Sequence, residues 1–209
     1  LYGLCWPLYI LLFYVLGVRK QLTLQNLRGS FLEYSDSEHL ELAKNHYKSA
    51  CMVIMEIIKS FSLSKTQIKN RVKFKNLELV EKYLSINQSV VVVTAHHCNP
   101  EWALLAFSQH ISSPVDIIYN TQSVSLSGKL FYELCSSFGI TPLPMETCIT
   151  EIIKHSKETR IIAMAADQCP KKSDTPYWQT FLNRETAFHT GTEKISKVFK
   201  YPLIFMSMK

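Results

Sequence analysis

The densest group of reactive side chains in the sequence is residues 95–102, AHHCNPEW, directly after a valine-rich run. Pro100 suits the first turn of a helix, with Asn99 as its N-cap. His96 then lies in the loop before the helix, and Glu101 lies on the first helical turn. A carboxylate there can reach back to an imidazole nitrogen, fix its tautomer and stabilise its charged form. The pattern indicates a His96–Glu101 pair in which His96 is a general base toward a hydroxyl group.

Two other interpretations of this segment stay open. It can be a helix-capping cluster without catalysis, or a metal site built from His96, His97, Cys98 and Glu101. The metal interpretation is weaker, because adjacent residues rarely bind one ion together and no His-Glu-x-x-His spacing occurs. No Gly-x-Gly-x-x-Gly or Gly-x-Ser-x-Gly motif is present either. We therefore expect neither a metal nor a cofactor.

Composition limits the class of protein that must position these residues. The chain has 209 residues, 47% hydrophobic and 19% charged, which favours one large globular domain over disorder, collagen or a coiled coil. A net charge of +6 favours anionic partners, and we expect none of them to be nucleic acid. The six cysteines form no Cys-x-x-Cys pair, which indicates reduced thiols on the cytosolic side.

From residue 89 onward, hydrophobic runs alternate with helical patterns. The runs predict strands at 89–94, 115–120, 140–144, 160–166 and 202–208, and the intervening patterns predict helices near 101–110, 125–138, 146–157 and 191–199. This alternation is typical of an α/β fold with a mainly parallel sheet flanked by helices. Before it, Ser35-x-x-Glu38 and Ser64-x-x-Gln67 open two helices of a predicted helical hairpin, the first running to about residue 62.

Residues 1–18 carry no charge. As one helix they would span about 27 Å, just short of a bilayer core, and Arg19, Lys20 and Arg28 follow on the expected cytoplasmic side. We predict a membrane-anchor or transmembrane helix at 1–18, with a core helix or an interfacial helix as alternatives. Because the chain lacks an initiator Met and stops after a strand, we also expect a fragment, with an acyltransferase domain at 19–209 that lacks a C-terminal part.

The 95–102 motif resembles the signature of the late acyltransferases of lipid A biosynthesis. These lauroyl and myristoyl acyltransferases lie in the wider His-x4-Asp/Glu glycerolipid acyltransferase superfamily. Further segments resemble the same family in the same order: QNLRGSF (25–31), RVKFKNLELVEKYL (71–84), ADQCP (166–170), YWQTFLNRETAFHTGTEKISKVF (177–199) and YPLIFMSMK (201–209). The resemblance therefore extends over nearly the whole chain.

The resemblance implies a membrane-bound O-acyltransferase on the cytoplasmic face of a bacterial inner membrane. It would move a fatty acyl chain from an acyl carrier protein thioester to a lipid A precursor hydroxyl. His96 would deprotonate that hydroxyl, and Glu101 would orient His96 and support its positive charge. No covalent acyl-enzyme intermediate is required.

Other residues are expected to line the same cleft. The turn Thr190, Gly191 and Thr192, at the start of a predicted helix, offers backbone N–H groups for an oxyanion, or it is a plain N-cap. Asp167 and Gln168, after a buried strand, would bind substrate or cap a loop. Asn99 completes the predicted substrate-binding residues.

Two stretches depart from the family pattern. The family usually carries a basic residue in the stretch at 118–124, and arginines where this chain has Cys135-Ser136-Ser137. Arginine suits bidentate phosphate recognition. The alternatives are therefore a glycerolipid or aminolipid acceptor, a non-catalytic lipid-binding relative, or charge supplied from elsewhere by Arg160, Lys171, Lys172 and Arg184.

Overall fold

A computed structural model describes residues 2–120, 126–170 and 176–208. It divides into two compact units, one formed by residues 1–59 with 169–188 and the other by 60–168 with 189–209. The expected boundary of an acyltransferase domain at residue 19 stays a prediction.

The described α-helices and strands follow one another along the chain with short connections. The helices are α1 Cys5–Ile10, α2 Lys20–Ser30, α3 Asp36–Ser60, α4 Lys65–Arg71, α5 Glu78–Leu84, α6 Pro100–Phe107, α7 Leu126–Ser137, α8 Cys148–Lys154 and α9 Gly191–Phe199. The strands are β1 Val90–Thr94, β2 Val115–Tyr119, β3 Ile140–Pro144, β4 Ile161–Ala165, β5 Tyr177–Phe181, β6 Arg184–Phe188 and β7 Leu203–Phe205.

Five strands of the second unit form one sheet in the order β3-β2-β4-β1-β7. Each of its four strand pairings is parallel. The α/β fold with a mainly parallel sheet is therefore confirmed, and the predicted strand positions agree with the observed ones to within a few residues.

The two faces of the sheet are both covered, which explains the uninterrupted hydrophobic runs. Successive side chains of a strand point to opposite faces. Accordingly, Val90 and Val92 pack in one core with residues of α6 and α7 such as Leu105 and Leu134. Val91 instead packs in a second core that includes Ile195 of α9. Since both faces of β1 are buried, a polar side chain at every second position would be buried as well, and the valine run of the strand is therefore uninterrupted.

Both predicted capping boxes are confirmed. The Ser35 backbone N–H donates to the Glu38 carboxylate at 2.7 Å, and α3 follows. The Ser35 hydroxyl also donates to this carboxylate at 2.7 Å, and the hydroxyl and backbone hydrogen bonds together hold the pKa of Glu38 below its usual value. At α4 the Ser64 hydroxyl accepts from the Gln67 backbone N–H, while the Gln67 side chain accepts from the Ser64 N–H.

The N-terminal segment differs from the single helix predicted over 1–18. α1 continues as a π-helical segment, Leu11–Val15, and Gly17 ends it with a φ of 58° that favours glycine. Tyr9 and Phe13 are buried in a cluster with α3, while the other side of the segment is exposed. Of the described helices, none alone is long and apolar enough for a bilayer; the pair Tyr2–Val15 and Lys20–Ser30 meets that measure together, bent by 85°.

The antiparallel β5–β6 hairpin was absent from the sequence prediction. Its turn residues Leu182 and Asn183 both have positive φ, as in the turns that usually contain Asn-Gly. Leucine in the first of these positions removes the usual sequence signal. The hairpin lies on α2, where Asn183 Nδ2 donates to the Ser30 carbonyl at 3.1 Å and Arg184 donates to Asn26 Oδ1 at 2.7 Å.

Candidate active site

The site is built where two neighbouring strands end. β1 and β4 pair in a register that sets Thr94 beside Ala165, and the Ala166 N–H donates to the Thr94 carbonyl at 3.2 Å. His96 follows β1 by two residues, and Asp167 follows β4 by two residues. Because the carboxyl ends of parallel strands meet at one edge of a sheet, these two loops are brought together.

Asp167 holds His96 through two hydrogen bonds. Its Oδ1 lies 2.7 Å from His96 Nδ1, and its Oδ2 accepts the His96 backbone N–H at 2.7 Å. Partial burial raises the pKa of Asp167, but the ring and backbone hydrogen bonds from His96 outweigh it and keep that pKa below the usual 3.8. Asp167 is therefore ionised at neutral pH and can only accept.

This arrangement selects one tautomer of His96. Because the Asp167 carboxylate only accepts, Nδ1 carries the hydrogen in neutral imidazole and Nε2 keeps its lone pair. Gln168 Nε2 lies 3.4 Å from that Nε2. The ring is 42% exposed, so a substrate hydroxyl can approach Nε2 and replace Gln168 as its partner. The arrangement is that of a general base with its orienting carboxylate.

Glu101 lies, as predicted, on the first turn of α6. Asn99 is the N-cap, with its Oδ1 accepting from the Trp102 N–H at 2.8 Å, and Pro100 follows it at the start of the helix. Within the described residues no hydrogen bond joins Glu101 to His96. The orienting role of Glu101 thus stays a prediction, whereas the structure brings Asp167 to the ring.

The stretch where the family resemblance leads one to expect arginines, Cys135-Ser136-Ser137, is buried only at its first residue, and both serines are exposed. Cys135 on α7 is buried, and burial raises the pKa of its thiol to about 12, with the negative charge of Glu101 adding to the effect. Ser136 and Ser137 follow it at the end of the helix. An arginine at residue 135 would have to displace packed apolar side chains, since interiors are close-packed.

His97 points to a different neighbour from His96. Its Nε2 lies 2.8 Å from the Met208 carbonyl oxygen and 3.1 Å from the Met208 backbone nitrogen, just beyond β7. No group of three or more His, Cys, Asp or Glu side chains is arranged to hold a metal ion in the described part of the chain. This contact has no local sequence signal, because it depends on β7 lying beside β1.

Thr190, Gly191 and Thr192 lie at the N-terminal end of α9. α9 packs against β1 and leads into β7, which runs parallel to β1, so α9 begins toward the carboxyl edge of the sheet. A Cβ at Gly191 would lie 4.0 Å from Met164 Cε, near the end of β4. Thr192 itself is buried. The oxyanion-binding role of this turn stays a prediction.

The suggestion that Arg160 supplies charge to the site is wrong. Arg160 precedes β4, at the opposite edge of the sheet, where its Nε donates to Asp116 Oδ2 at 2.8 Å and its Nη1 to Glu158 at 2.8 Å. Arg184 belongs to the other unit and binds Asn26. Lys171 and Lys172, with residues 121–124 of the divergent stretch, lie outside the described residues.

A family model described as bacterial lipid A biosynthesis acyltransferase matches residues 5–209, which include each candidate site residue. The sequence matches none of the curated proteins with which it was compared.

Proposed function

Because this chain belongs to the bacterial lipid A biosynthesis acyltransferase family and is an acyltransferase, we propose that it acylates a lipid hydroxyl at His96. The donor is an acyl carrier protein thioester, and the acceptor is a lipid A precursor. The enzyme works on the cytoplasmic face of a bacterial inner membrane. The observation that carries this proposal is the hydrogen-bonded His96–Asp167 pair, half-exposed at the carboxyl edge of the sheet.

In the proposed reaction, His96 Nε2 takes the proton of the acceptor hydroxyl as its oxygen attacks the thioester carbonyl carbon. The tetrahedral intermediate then collapses, the carbon–sulfur bond breaks, and the imidazolium returns its proton to the leaving thiolate. An ester and a free thiol result. Asp167 stabilises the imidazolium through the 2.7 Å bond to Nδ1, and no covalent acyl-enzyme is needed.

Two carboxylates have proposed roles beside His96. Asp167 contacts the ring directly, while Glu101 occupies the family-like position five residues after it on α6. We assign Asp167 to the Nδ1 side and retain Glu101 as a second support of the developing positive charge. The backbone N–H groups of Gly191 and Thr192 are the proposed donors to the oxyanion, because the start of a helix favours negative charge.

A second acceptor class is favoured by one observation. Cys135, Ser136 and Ser137 occupy the stretch where the family resemblance leads one to expect phosphate-binding arginines. Arg160 cannot replace them, because its guanidinium is hydrogen-bonded to Asp116. An acceptor without the phosphates of lipid A, such as a glycerolipid or aminolipid hydroxyl, therefore remains the alternative substrate for the same His96 chemistry.

The test is acyl transfer in membranes that express a full-length version. A labelled acyl carrier protein thioester is supplied with a tetra-acylated lipid A precursor, and in parallel with a glycerolipid and an aminolipid. His46→Gln, a histidine on α3 that is not among the candidate site residues, is the matched control for His96→Gln. Turnover by wild type and H46Q but not by H96Q supports the mechanism; undiminished turnover by H96Q refutes it.

The same assay compares the two carboxylates. Asp167→Asn removes the charge and leaves an amide that can bond to Nδ1 in the wrong tautomer, so we expect a loss of about 100-fold or more. Glu101→Gln tests the position that the family resemblance assigns. Loss of turnover in E101Q alone would transfer the orienting role from Asp167 to Glu101.

A further inference from the structure

An open groove of about 430 Å³ lies in the N-terminal unit, far along the chain from the His96 loops. Its lining combines aromatic side chains of the first helical segment with charged side chains of α3: Trp6, Tyr9, Ile10, Tyr14, Glu41, Lys44 and Lys48. The acyltransfer chemistry uses none of these residues. The volume lies in the range of small-molecule sites, about 300–1,000 Å³.

The charges in the groove favour an anion. Lys44 and Lys48 are one helical turn apart on α3, and they outnumber the single carboxylate of Glu41. Lys44 lies 3.5 Å from Glu41, a long distance for an ion pair, so its ammonium group retains capacity for another partner. Lys48 lies 5.9 Å from the Tyr9 ring centroid and donates to Asn45 at 3.4 Å. Two ammonium groups one turn apart suit the oxygens of a phosphate.

The apolar half of the groove indicates which phosphate compound fits. Trp6 is 63% exposed and Tyr14 is 56% exposed, although each lies against the Tyr9 ring, at centroid distances of 5.7 and 5.8 Å. Exposed Trp and Tyr side chains are typical of the headgroup level of membranes. The same segment leaves Val15 and Leu16 exposed, which gives acyl chains an apolar surface to cover.

We propose that this groove binds the phosphate headgroup of an anionic membrane phospholipid, held by Lys44 and Lys48 beside Trp6 and Tyr14. Its residues are not among those proposed for acyl transfer, and the inference goes beyond the proposed reaction. Its charge complementarity selects anionic lipids, and its aromatic lining selects a lipid over a free phosphate ion. Glu41 opposes the phosphate and limits the affinity.

The experiment measures binding of the purified full chain to vesicles, without acyl donor or acceptor. Phosphatidylcholine vesicles are compared with vesicles containing phosphatidylglycerol, and inorganic phosphate is added as a competitor. We expect tighter binding to the anionic vesicles and no displacement by millimolar phosphate. Lys48→Gln should weaken that binding about fivefold, the contribution of one lysine near an anionic surface.

A matched control separates this site from general charge. Lys82 on α5 lies 5.7 Å from the ring centroid of Tyr83, much as Lys48 lies beside Tyr9, but it is outside the groove. Lys82→Gln therefore removes the same charge from a similar setting and should leave binding unchanged. Equal weakening by K82Q and K48Q would overturn the proposal in favour of non-specific attraction.

Glu41→Gln gives a prediction of opposite sign. It removes the negative charge facing the phosphate and releases Lys44, so binding to anionic vesicles should increase about fivefold. A lysine pair with a purely structural role would show no such gain. Equal affinity for both vesicle types, displacement by inorganic phosphate, or weaker binding by E41Q would each overturn the proposal, whatever the acyltransfer assay shows.

Discussion

The two edges of the parallel sheet each hold an aspartate hydrogen-bonded to a basic side chain, and the two pairs differ in exposure. At the carboxyl edge, the side chains of His96 and Asp167 are 42% and 37% exposed. At the amino edge, Arg160 and Asp116 are 10% and 0% exposed, and the guanidinium also binds Glu158. The first pair leaves a ring nitrogen for a substrate, whereas the second uses its hydrogen-bonding groups internally.

This difference indicates that the buried pair at the amino edge serves stability, whereas the exposed pair at the carboxyl edge is available for chemistry. A buried charge is costly unless it is paired and hydrogen-bonded. The hydrogen bond to Asp116 raises the pKa of Arg160 and keeps it charged despite its burial. At the opposite edge, loops leave the sheet and their side chains remain in contact with solvent. We therefore expect substitutions at the two edges to affect different measurements.

The largest expected effect is on catalysis at the carboxyl edge. His96→Gln keeps a side chain of similar size but removes the base, so acyl transfer should fall by about 10²–10⁴-fold. The ring is partly exposed, so the free energy of unfolding should change by less than about 1 kcal/mol. Chemical denaturation run beside the transfer assay checks both. A large loss of stability in H96Q would remove the contrast between the edges.

The next effect is on stability at the amino edge. Asp116→Ala leaves the Arg160 guanidinium buried without its main partner, which should lower the free energy of unfolding by about 3–5 kcal/mol. The turnover per folded molecule should stay near the wild-type value. The double variant Asp116→Leu/Arg160→Met replaces both charges with apolar groups and should recover part of the loss. A double variant less stable than D116A would contradict this account of the pair.

The fold could be predicted from the sequence where a signal was local. Buried strands, the two capping boxes and the start of α9 at Gly191 follow from runs and spacings within a few residues. The turn at Leu182 lacks glycine, so the β5–β6 hairpin had no such signal. The end of the first helical segment at Gly17 was not predicted either, because no charged residue in 1–18 marks a boundary.

The site could be predicted only in part, because strand order is not a local property. The sequence placed Asp167 in the same cleft as His96 but assigned the ring contact to Glu101, the carboxylate nearest along the chain. β1 and β4 are neighbours although β2 and β3 lie between them in sequence. Only that crossover brings residue 167 to residue 96, a separation of 71 residues.

A smaller expected effect is the pH dependence of the stability that Asp167 contributes through its hydrogen bonds to His96. Since the pKa of Asp167 is lower in the folded protein than its usual 3.8, its contribution to stability is present above that value. It is lost as the pH falls through the lower folded-state pKa. The difference in unfolding free energy between wild type and Asp167→Asn should therefore be present at pH 6 and shrink below pH 3.8. A difference that grows in acid would contradict the hydrogen-bonding role of the carboxylate.

The smallest expected effect is a difference in reactivity between two thiols, one in an exposed loop and one in the packed core. Cys98 is exposed in the loop after His96, whereas Cys135 is buried and has a pKa raised to about 12. At pH 8 only about one Cys135 thiol in 10⁴ is ionised, and thiolate is the reactive form. Iodoacetamide should therefore label Cys98 in the native protein and Cys135 only after unfolding, as mass spectrometry of peptides can show. Native labelling of Cys135 at the rate of Cys98 would mean that α7 opens readily, and would contradict the contrast between the exposed loop and the packed core.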